Sequence, residues 1–181
     1  MFSCNQTVLL LVDVQGRLAR IMHDQASLFN SLEVLIKGMQ ILEVPIIWME
    51  QIPSKLGGTV EEIRSLMDAT GAAPIAKDCF SCCNEPKFME SLTALSRKQV
   101  LITGIESHIC VFQTTCDLID KGYDVQVVSD CVSSRTLENK NIGLQRMKQC
   151  GASITSVEMA LFELMKYARG DHFKKMVSLV K

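Results

Sequence analysis

Four short runs rich in apolar residues recur along the chain, and they constrain its fold more than any other feature. They are Thr7–Val12, Pro45–Met49, Gln99–Thr103 and Tyr123–Val128. Each run is too short for an ordinary helix and carries almost no charge. Such a run is typical of a strand that is covered on both faces, as in a parallel sheet. The sequence therefore predicts a sheet buried between two layers of other structure.

Segments with helical spacing separate these strands. Ser27–Leu42 repeats apolar side chains every three or four residues, and helices are also predicted for Glu85–Leu95 and Leu137–Gln149. Alternation of strands and helices predicts an α/β protein, three-layer α/β/α, with a mostly parallel, Rossmann-like sheet. We find no linker, repeat or low-complexity segment, so residues 1–181 are predicted to form a single domain.

Composition and charge argue against several classes of function. At 48% hydrophobic and 22% charged residues, the composition is that of an ordinary globular protein. A net charge of −1 offers no electrostatic basis for binding nucleic acid or an anionic membrane surface. The first residues lack the basic start of a secretory signal, which predicts a cytoplasmic protein. The eight cysteines are therefore interpreted as core residues or free thiols, with Cys116 and Cys150 expected inside a strand or helix.

Polar residues follow the predicted strands. Asp13, Glu50, the stretch Gly104–Cys110 and Asp130 each stand at the end of one of them. The carboxyl ends of parallel strands lie at one edge of a sheet, and ligands bind outside that edge. The sequence therefore predicts that these residues share one rim.

Cys110 is the candidate nucleophile at this rim. The stretch Val100–Thr115 has the pattern of a buried strand, a turn at Gly104, and a helix that opens on Ser107. Cys110 would lie in the first helical turn, where free N–H groups and the helix dipole favour a thiolate. We therefore expect a thiol pKa well below the usual value of about 8.5. Taken alone, a buried helix cysteine without chemistry is the simpler interpretation.

Two charged residues are candidates for activating this thiol. Asp13 is the best proton acceptor, because the first strand of such a sheet is usually central. Lys77 ends a short apolar piece, and if buried it would stabilise both a carboxylate and a thiolate. The alternatives are a strand-end carboxylate that caps the turn at Gly16 and a solvated loop lysine.

These residues stand in stretches that resemble the isochorismatase-like cysteine hydrolase family, which includes nicotinamidase and N-carbamoylsarcosine amidase. The resemblance covers nearly the whole chain and is nearest to the subgroup called isochorismatase domain-containing proteins. It implies the isochorismatase-like hydrolase fold. The matching stretches are Leu9-Leu-Leu-Val-Asp-Val-Gln15, Glu50-Gln-Ile-Pro-Ser-Lys-Leu-Gly57, Lys77-Asp-Cys-Phe-Ser81, Gly104-Ile-Glu-Ser-His-Ile-Cys-Val111 and Gly122-Tyr-Asp-Val-Gln-Val-Val-Ser-Asp130.

The resemblance implies a catalytic triad of Asp13, Lys77 and Cys110. In that mechanism Asp13 takes the thiol proton and passes it to the leaving group, and the substrate becomes a thioester on the cysteine. The family also has a cis peptide before the helix, here Ile105–Glu106. It would direct the backbone N–H groups of Glu106 and Cys110 at the developing oxyanion, forming an oxyanion hole.

The chain also departs from its best-known relatives. Nicotinamidases follow their second strand with an aspartate and several histidines that bind a metal, but Glu50–Lys55 contains no histidine. The histidines here are His23, His108 and His172, too dispersed for a ligand set, so we predict neither metal nor cofactor. True isochorismatases hydrolyse a vinyl ether without needing a nucleophilic cysteine at this place. Cys110 therefore favours hydrolysis of a small amide-like C–N bond.

Several residues near the predicted rim are candidates for contacting the substrate. For Glu50 and Gln51, a solvated position at the strand end is an equally good interpretation. His108 could simply lie at a helix start. The cluster Cys79–Cys83 resembles half a zinc site, but no second pair of ligands has suitable spacing. The substrate-binding candidates are Gln15, Glu50, Gln51, Phe80, Ile105 and His108.

Two other functions remain open from the sequence. The chain could be a binding or assembly protein that keeps the hydrolase fold and has lost its chemistry. It could also sense redox state, if a second cysteine lies close to Cys110. The predicted partners are a small-molecule substrate and further copies of the same chain in a dimer or larger oligomer, with neither nucleic acid nor membrane.

Overall fold

A parallel sheet of six strands forms the centre of the computed structural model, which describes residues 1–181. The strand order β3-β2-β1-β4-β5-β6 places β1 and β4 side by side in the middle, where the order reverses. The predicted parallel sheet is confirmed. The strands are β1 Thr7–Val12, β2 Ile46–Gln51, β3 Ile75–Lys77, β4 Gln99–Ile105, β5 Asp124–Ser133 and β6 Ser153–Thr155.

Helices cover both faces of this sheet. The helices are α1 Gly16–Arg20, α2 Gln25–Ile41, α3 Pro53–Leu56, α4 Glu61–Asp68, α5 Pro86–Ala94, α6 Phe112–Asp120, α7 Leu137–Gln149, α8 Val157–Met165 and α9 Gly170–Val180. Helices α2, α4, α8 and α9 pack on one face and α5, α6 and α7 on the other, so the three-layer α/β/α architecture is confirmed. None of these helices has both the length and the apolar character needed to cross a membrane.

The surroundings of strand β1 explain why its sequence is apolar throughout. Leu9 and Leu11 point into the core beneath α2, whereas Val8, Leu10 and Val12 point into the core beneath α5 and α6. All five side chains are buried, because successive residues of a strand face opposite sides and both sides are covered here. A central strand of this kind has no face left for a polar residue until it ends at Asp13.

Gly104 allows β4 to end close beside β1. Its backbone has φ +107°, and a Cβ at this position would lie 2.0 Å from the carbonyl oxygen of Val12. The register between β4 and β5 also shifts between Ile102 and Gly104. The close approach brings the turn after β4 next to the end of β1.

A substitution of Gly104 by alanine tests this close approach. The added Cβ would meet main-chain atoms of β1 in addition to the strained positive φ. We expect Gly104→Ala to lower the free energy of unfolding by roughly 3 kcal/mol or more, measured by urea denaturation. Gly122→Ala is the matched control, because Gly122 has φ +78° but a Cβ added there would have no other atom within 4 Å. We expect Gly122→Ala to lower the free energy of unfolding by only about 1–2 kcal/mol. Equal losses in the two variants would show that the close approach of β4 to β1 does not contribute to stability.

Candidate active site

Asp13, Lys77 and Cys110 meet at the carboxyl edge of the sheet. Asp13 follows β1, Lys77 is the last residue of β3, and Cys110 lies in a π-helical turn, Ser107–Val111, between β4 and α6. Strand β2 separates β3 from β1, and the long lysine side chain crosses in front of it. The ammonium Nζ of Lys77 then lies 2.7 Å from Oδ2 of Asp13. Of the residues predicted to share one rim, Asp13 and Cys110 therefore lie at the same edge, and Lys77 joins them there.

Lys77 is held as a buried cation with its hydrogen-bonding capacity used. Its Nζ donates to Oδ2 of Asp13, to Oε1 of Gln51 at 2.5 Å, and to the carbonyl oxygens of Cys79 and Phe80 at 3.1 and 3.3 Å. Burial is the largest single influence and acts to lower the pKa of Lys77, but the charge of Asp13, its hydrogen bond to Lys77 and the nearby Cys82 and Cys110 together outweigh it, so the pKa is raised overall. The ammonium stays protonated, and no N–H is left over for a substrate.

Asp13 has one carboxylate oxygen bound and one unbound. Its backbone has φ 53°, a left-handed conformation that is uncommon outside glycine and tends to occur at functional sites. Oδ2 accepts a hydrogen bond from Lys77, whereas the buried Oδ1 has no partner within hydrogen-bonding geometry. Burial raises the pKa of Asp13 above its usual range, although Lys77 acts in the opposite direction. The unbound oxygen of this carboxylate is therefore well suited to take up a proton.

Cys110 is a protonated thiol rather than a preformed thiolate. The turn that carries it is closed by the N–H groups of Ile109 and Val111, which donate to the carbonyl of Glu106. Burial raises the pKa of Cys110 to about 12, and the nearby charge of Asp13 contributes to this rise while Lys77 opposes it. The prediction of a lowered thiol pKa is wrong, because burial and a neighbouring carboxylate outweigh the dipole of a short turn.

A small cavity of about 120 Å³ opens beside this thiol. Larger grooves of about 490 and 570 Å³ lie at the opposite edge of the sheet, where the strands begin. The cavity at Cys110 is smaller but holds the reactive groups. Its walls are Leu18, Leu56, Phe80, Ile105 and Ile109 on the apolar side and Asp13, Gln51, Glu106 and Cys110 on the polar side.

Half of the predicted substrate contacts line this cavity. Gln51, Phe80 and Ile105 do, and Phe80 is the most open of them, with 56% of its surface exposed. Leu18, Leu56 and Ile109 also line the cavity but were not among the predicted residues. Nothing in the sequence distinguishes them from ordinary core residues, although Leu56 and Ile109 fall within stretches that carry the family resemblance.

Gln15 lies behind the cavity and is not open to a ligand. Its side-chain Oε1 accepts from the N–H of Gln51, and its Nε2 donates to the carbonyl oxygens of Gln51 and Gly57. The side chain is fully buried with these bonds made. The expected substrate contact is therefore absent, and Gln15 instead holds the end of β2 and the following loop in place.

Glu50 and His108 also point away from the cavity. Oε1 of Glu50 accepts from the backbone and the hydroxyl of Thr59 and pairs with Arg64 at 3.0 Å. Nδ1 of His108 lies 3.0 Å from the hydroxyl of Ser134. Both side chains hold neighbouring segments in position. For Glu50 the reason is that successive residues of a strand alternate in direction, and Gln51 is the one that faces the cavity.

The Ile105–Glu106 peptide bond is cis, as the resemblance implied. The Glu106 carboxylate accepts from the backbone N–H and from Nε of Arg135. Glu106 also lines the cavity, and its carboxylate is paired with Arg135 as that of Asp13 is paired with Lys77.

The cysteine cluster at positions 79–83 is divided among different surroundings. Cys82 is fully buried, the backbone N–H of Cys83 donates to the Ser81 hydroxyl, and the carbonyl of Cys79 accepts from Lys77. No group of three or more histidine, cysteine, aspartate or glutamate side chains in the structure could hold a metal ion.

A parallel sheet between two layers of helices, with these three residues at its carboxyl edge, is the arrangement of the isochorismatase-like hydrolase fold. The family model of the Isochorismatase domain matches residues 7–159. The chain belongs to the isochorismatase family, which confirms the resemblance seen in the sequence.

Individual relatives match over almost the whole chain. A secreted isochorismatase effector, Isc1, from Phytophthora sojae is 40% identical over 180 residues, which cover 98% of this chain and 85% of the relative. The structure of the MAR1 ribonuclease from Caenorhabditis elegans has a TM-score of 0.90 and 31% identity, covering 99% of this chain and 91% of that one. The octameric YcaC hydrolase of unknown specificity from Escherichia coli has a TM-score of 0.91 and 23% identity, covering 98% and 89%, and shows the fold alone. Because one relative is secreted, the cytoplasmic location of this chain stays a prediction.

The charge of Asp13 should raise the pKa of the Cys110 thiol beyond the effect of burial alone. We expect the alkylation rate of Cys110 by iodoacetamide to rise with pH up to about 12 in the wild type, without a plateau near 8.5. Asp13→Asn removes the negative charge and leaves the Lys77 ammonium, so the midpoint should move down by at least one pH unit. Alkylation is followed by peptide mapping, since seven other cysteines are present.

Asp124→Asn is the control for this measurement, because Asp124 is exposed at the start of β5, on the opposite edge of the sheet. It should leave the pH profile unchanged. A wild-type midpoint near the ordinary thiol value, or the same midpoint in Asp13→Asn, would contradict the proposed coupling between the carboxylate and the thiol.

Proposed function

We propose that this protein is a metal-independent cysteine hydrolase that cleaves the C–N bond of a small, neutral, amide-like substrate. The observation that carries the proposal is the state of Asp13. One oxygen of this buried carboxylate is held by Lys77, and the other has no regular partner, in a residue that lines the cavity together with the Cys110 thiol. A nucleophile, a proton acceptor and a cation that orients the acceptor are the parts that covalent catalysis requires.

The reaction would begin with the thiol still protonated. The Cys110 sulfur attacks the carbonyl carbon of the substrate while its proton moves to Oδ1 of Asp13, so no free thiolate has to form in this buried site. The oxyanion that develops is stabilised by the N–H groups of Glu106 and Cys110, and each such donor is worth about 10²–10³ in rate. Asp13 then gives its proton to the leaving nitrogen, the C–N bond breaks, and the acyl group remains on sulfur as a thioester.

Water would complete the turnover. Asp13 accepts a proton from a water molecule that attacks the thioester, and the proton returns to the Cys110 sulfur as the carboxylic acid leaves. The raised pKa of Asp13 suits its alternating roles as proton acceptor and proton donor. General acid–base catalysis is most efficient when the pKa of the catalytic group lies near the working pH. Lys77 makes no contact with the substrate in this mechanism and serves to hold the carboxylate in place.

The charges around the cavity favour a neutral substrate. Asp13 and Glu106 line it, each paired with a cation, and the ammonium of Lys77 is fully engaged with protein oxygens. Arg135 pairs with Glu106 at 3.2 Å on the exposed rim. An anionic substrate such as isochorismate would therefore find no unpaired cation among the residues that line the cavity. This arrangement, together with the available thiol, favours amide chemistry over the vinyl ether hydrolysis of true isochorismatases.

The test is hydrolysis of a panel of small amides and carbamoyl compounds by matched variants. We expect Cys110→Ala, Asp13→Asn and Lys77→Met each to lower kcat/KM by about 10³-fold or more, because members of a triad act as a unit. Intact mass measurement should also show an acyl adduct on the wild type and none on Cys110→Ala. Cys4→Ala is the control, since Cys4 hydrogen-bonds to the carbonyl of Leu164, far from the cavity.

Propionamide and succinamic acid form a matched pair within the panel, because they differ by a carboxylate. We expect at least tenfold lower kcat/KM for the acid, and the reverse order would contradict the neutral-substrate part of the proposal. A synthetic RNA is included because a relative is a ribonuclease. RNA cleavage that depends on Cys110 would replace the small amide as substrate. If the wild type and Cys110→Ala are equally inert throughout, the chain is better explained as a binding or assembly protein.

We also propose that the chain assembles into a homo-oligomer, at least a dimer. The octameric YcaC neighbour and two large exposed side chains at the end of the chain, Met159 at 61% and Tyr167 at 63%, support this. The particle mass from light scattering tests it, and the mass of a single chain at micromolar concentration would contradict it.

A further inference from the structure

Two cysteines outside the cavity lie in direct contact. The sulfur of Cys116, in α6, is 2.8 Å from the sulfur of Cys150, at the end of α7, although the residues are 34 positions apart. Both residues are half-buried, whereas the sequence predicted positions within a buried strand or helix. No other pair of cysteines in the structure forms a hydrogen bond between its sulfurs.

Helices α6 and α7, which meet at this cysteine contact, both pack against the turn that carries Cys110. Helix α6 continues directly from the turn Ser107–Val111. Helix α7 lies against the same turn so closely that a Cβ at Gly143 would be 2.7 Å from the carbonyl carbon of Ser107. The cysteine pair therefore lies where a covalent bond would connect both neighbours of the turn.

We propose that Cys116 and Cys150 form a redox modification site, which a peroxide oxidises to a reversible intramolecular disulfide. In the first step one thiol is oxidised to a sulfenic acid, as the peroxide transfers an oxygen atom to sulfur and leaves as water or an alcohol. In the second step the other thiol attacks the sulfenic sulfur, forming the S–S bond and releasing water. A small-molecule dithiol restores both thiols.

The contact between the two sulfurs supplies the resolving thiol. Whichever cysteine is oxidised first has the other sulfur 2.8 Å away, already in place to attack the sulfenic acid.

Three of the other cysteines are less suited to oxidation. Cys82 and Cys131 are fully buried, and Cys110 is 8% exposed with its thiol protonated. Reactivity towards peroxide follows thiolate character and solvent access, and these three cysteines have little of either. A second sulfur in contact is what turns an oxidised cysteine into a disulfide, and Cys150 has one.

The experiment is oxidation of the native protein with hydrogen peroxide, followed by alkylation of the remaining thiols and peptide mapping without reduction. We expect the linked peptides of Cys116 and Cys150 to form before any other pair and to separate in dithiothreitol. The melting temperature should rise by roughly 5 °C or more, because the bond closes a long loop of the unfolded chain. Neither readout depends on hydrolysis, so the result is independent of the proposed function.

Matched variants and conditions make the outcome clear. Cys116→Ala and Cys150→Ala should each abolish the crosslink and the rise in melting temperature, whereas Cys4→Ala should keep both. Oxidation in concentrated urea should scatter the pairs among the eight cysteines. The proposal is overturned if Cys116 and Cys150 stay open to alkylation in the oxidised native protein, if another pair dominates, or if the crosslink forms equally well in urea.

Discussion

The ion pair between Lys77 and Asp13 is the interaction on which the candidate site depends. Both groups are buried, and a buried ion pair contributes little to stability compared with well-packed apolar residues. Removing one partner is nevertheless costly, about 3–5 kcal/mol, because the other charge is left unpaired. The surrounding acceptors, Gln51 and two backbone carbonyls, complete the coordination of the ammonium. Such an arrangement is easier to explain by what it does to a neighbouring thiol than by stability.

The pair also controls where the proton resides at Cys110. Lys77 alone would favour a thiolate, but the charge of Asp13, added to burial, keeps the thiol protonated. Nucleophilic attack and proton transfer are therefore coupled, and the same carboxylate that suppresses the resting thiolate is the acceptor during the proposed reaction. The site thus differs from a cysteine that is activated by a helix dipole, where the thiolate exists before the substrate arrives.

Strand order makes this geometry possible. The reversal between β1 and β4 brings the Asp13 and Cys110 ends together, and Gly104 permits the close approach of the two strands. Lys77 reaches the same point from two strands away because its side chain is long. The helices behind the Cys110 turn are packed tightly enough that their own cysteines touch, so the scaffold of the nucleophile also carries the proposed redox site.

Much of this protein could be predicted from local sequence pattern. Continuous apolar runs reflect strands covered on both faces, and residues at the carboxyl ends of parallel strands share one edge of the sheet. The parallel sheet and the grouping of Asp13 with Cys110 could therefore be predicted from the sequence. Side-chain direction and distance could not be predicted. Adjacent residues Glu50 and Gln51 point to opposite sides, and only the folded chain decides which side is the cavity. The raised thiol pKa and the Cys116–Cys150 contact likewise depend on burial and on neighbours far apart in the chain, quantities that arise only when the helices and the sheet pack together.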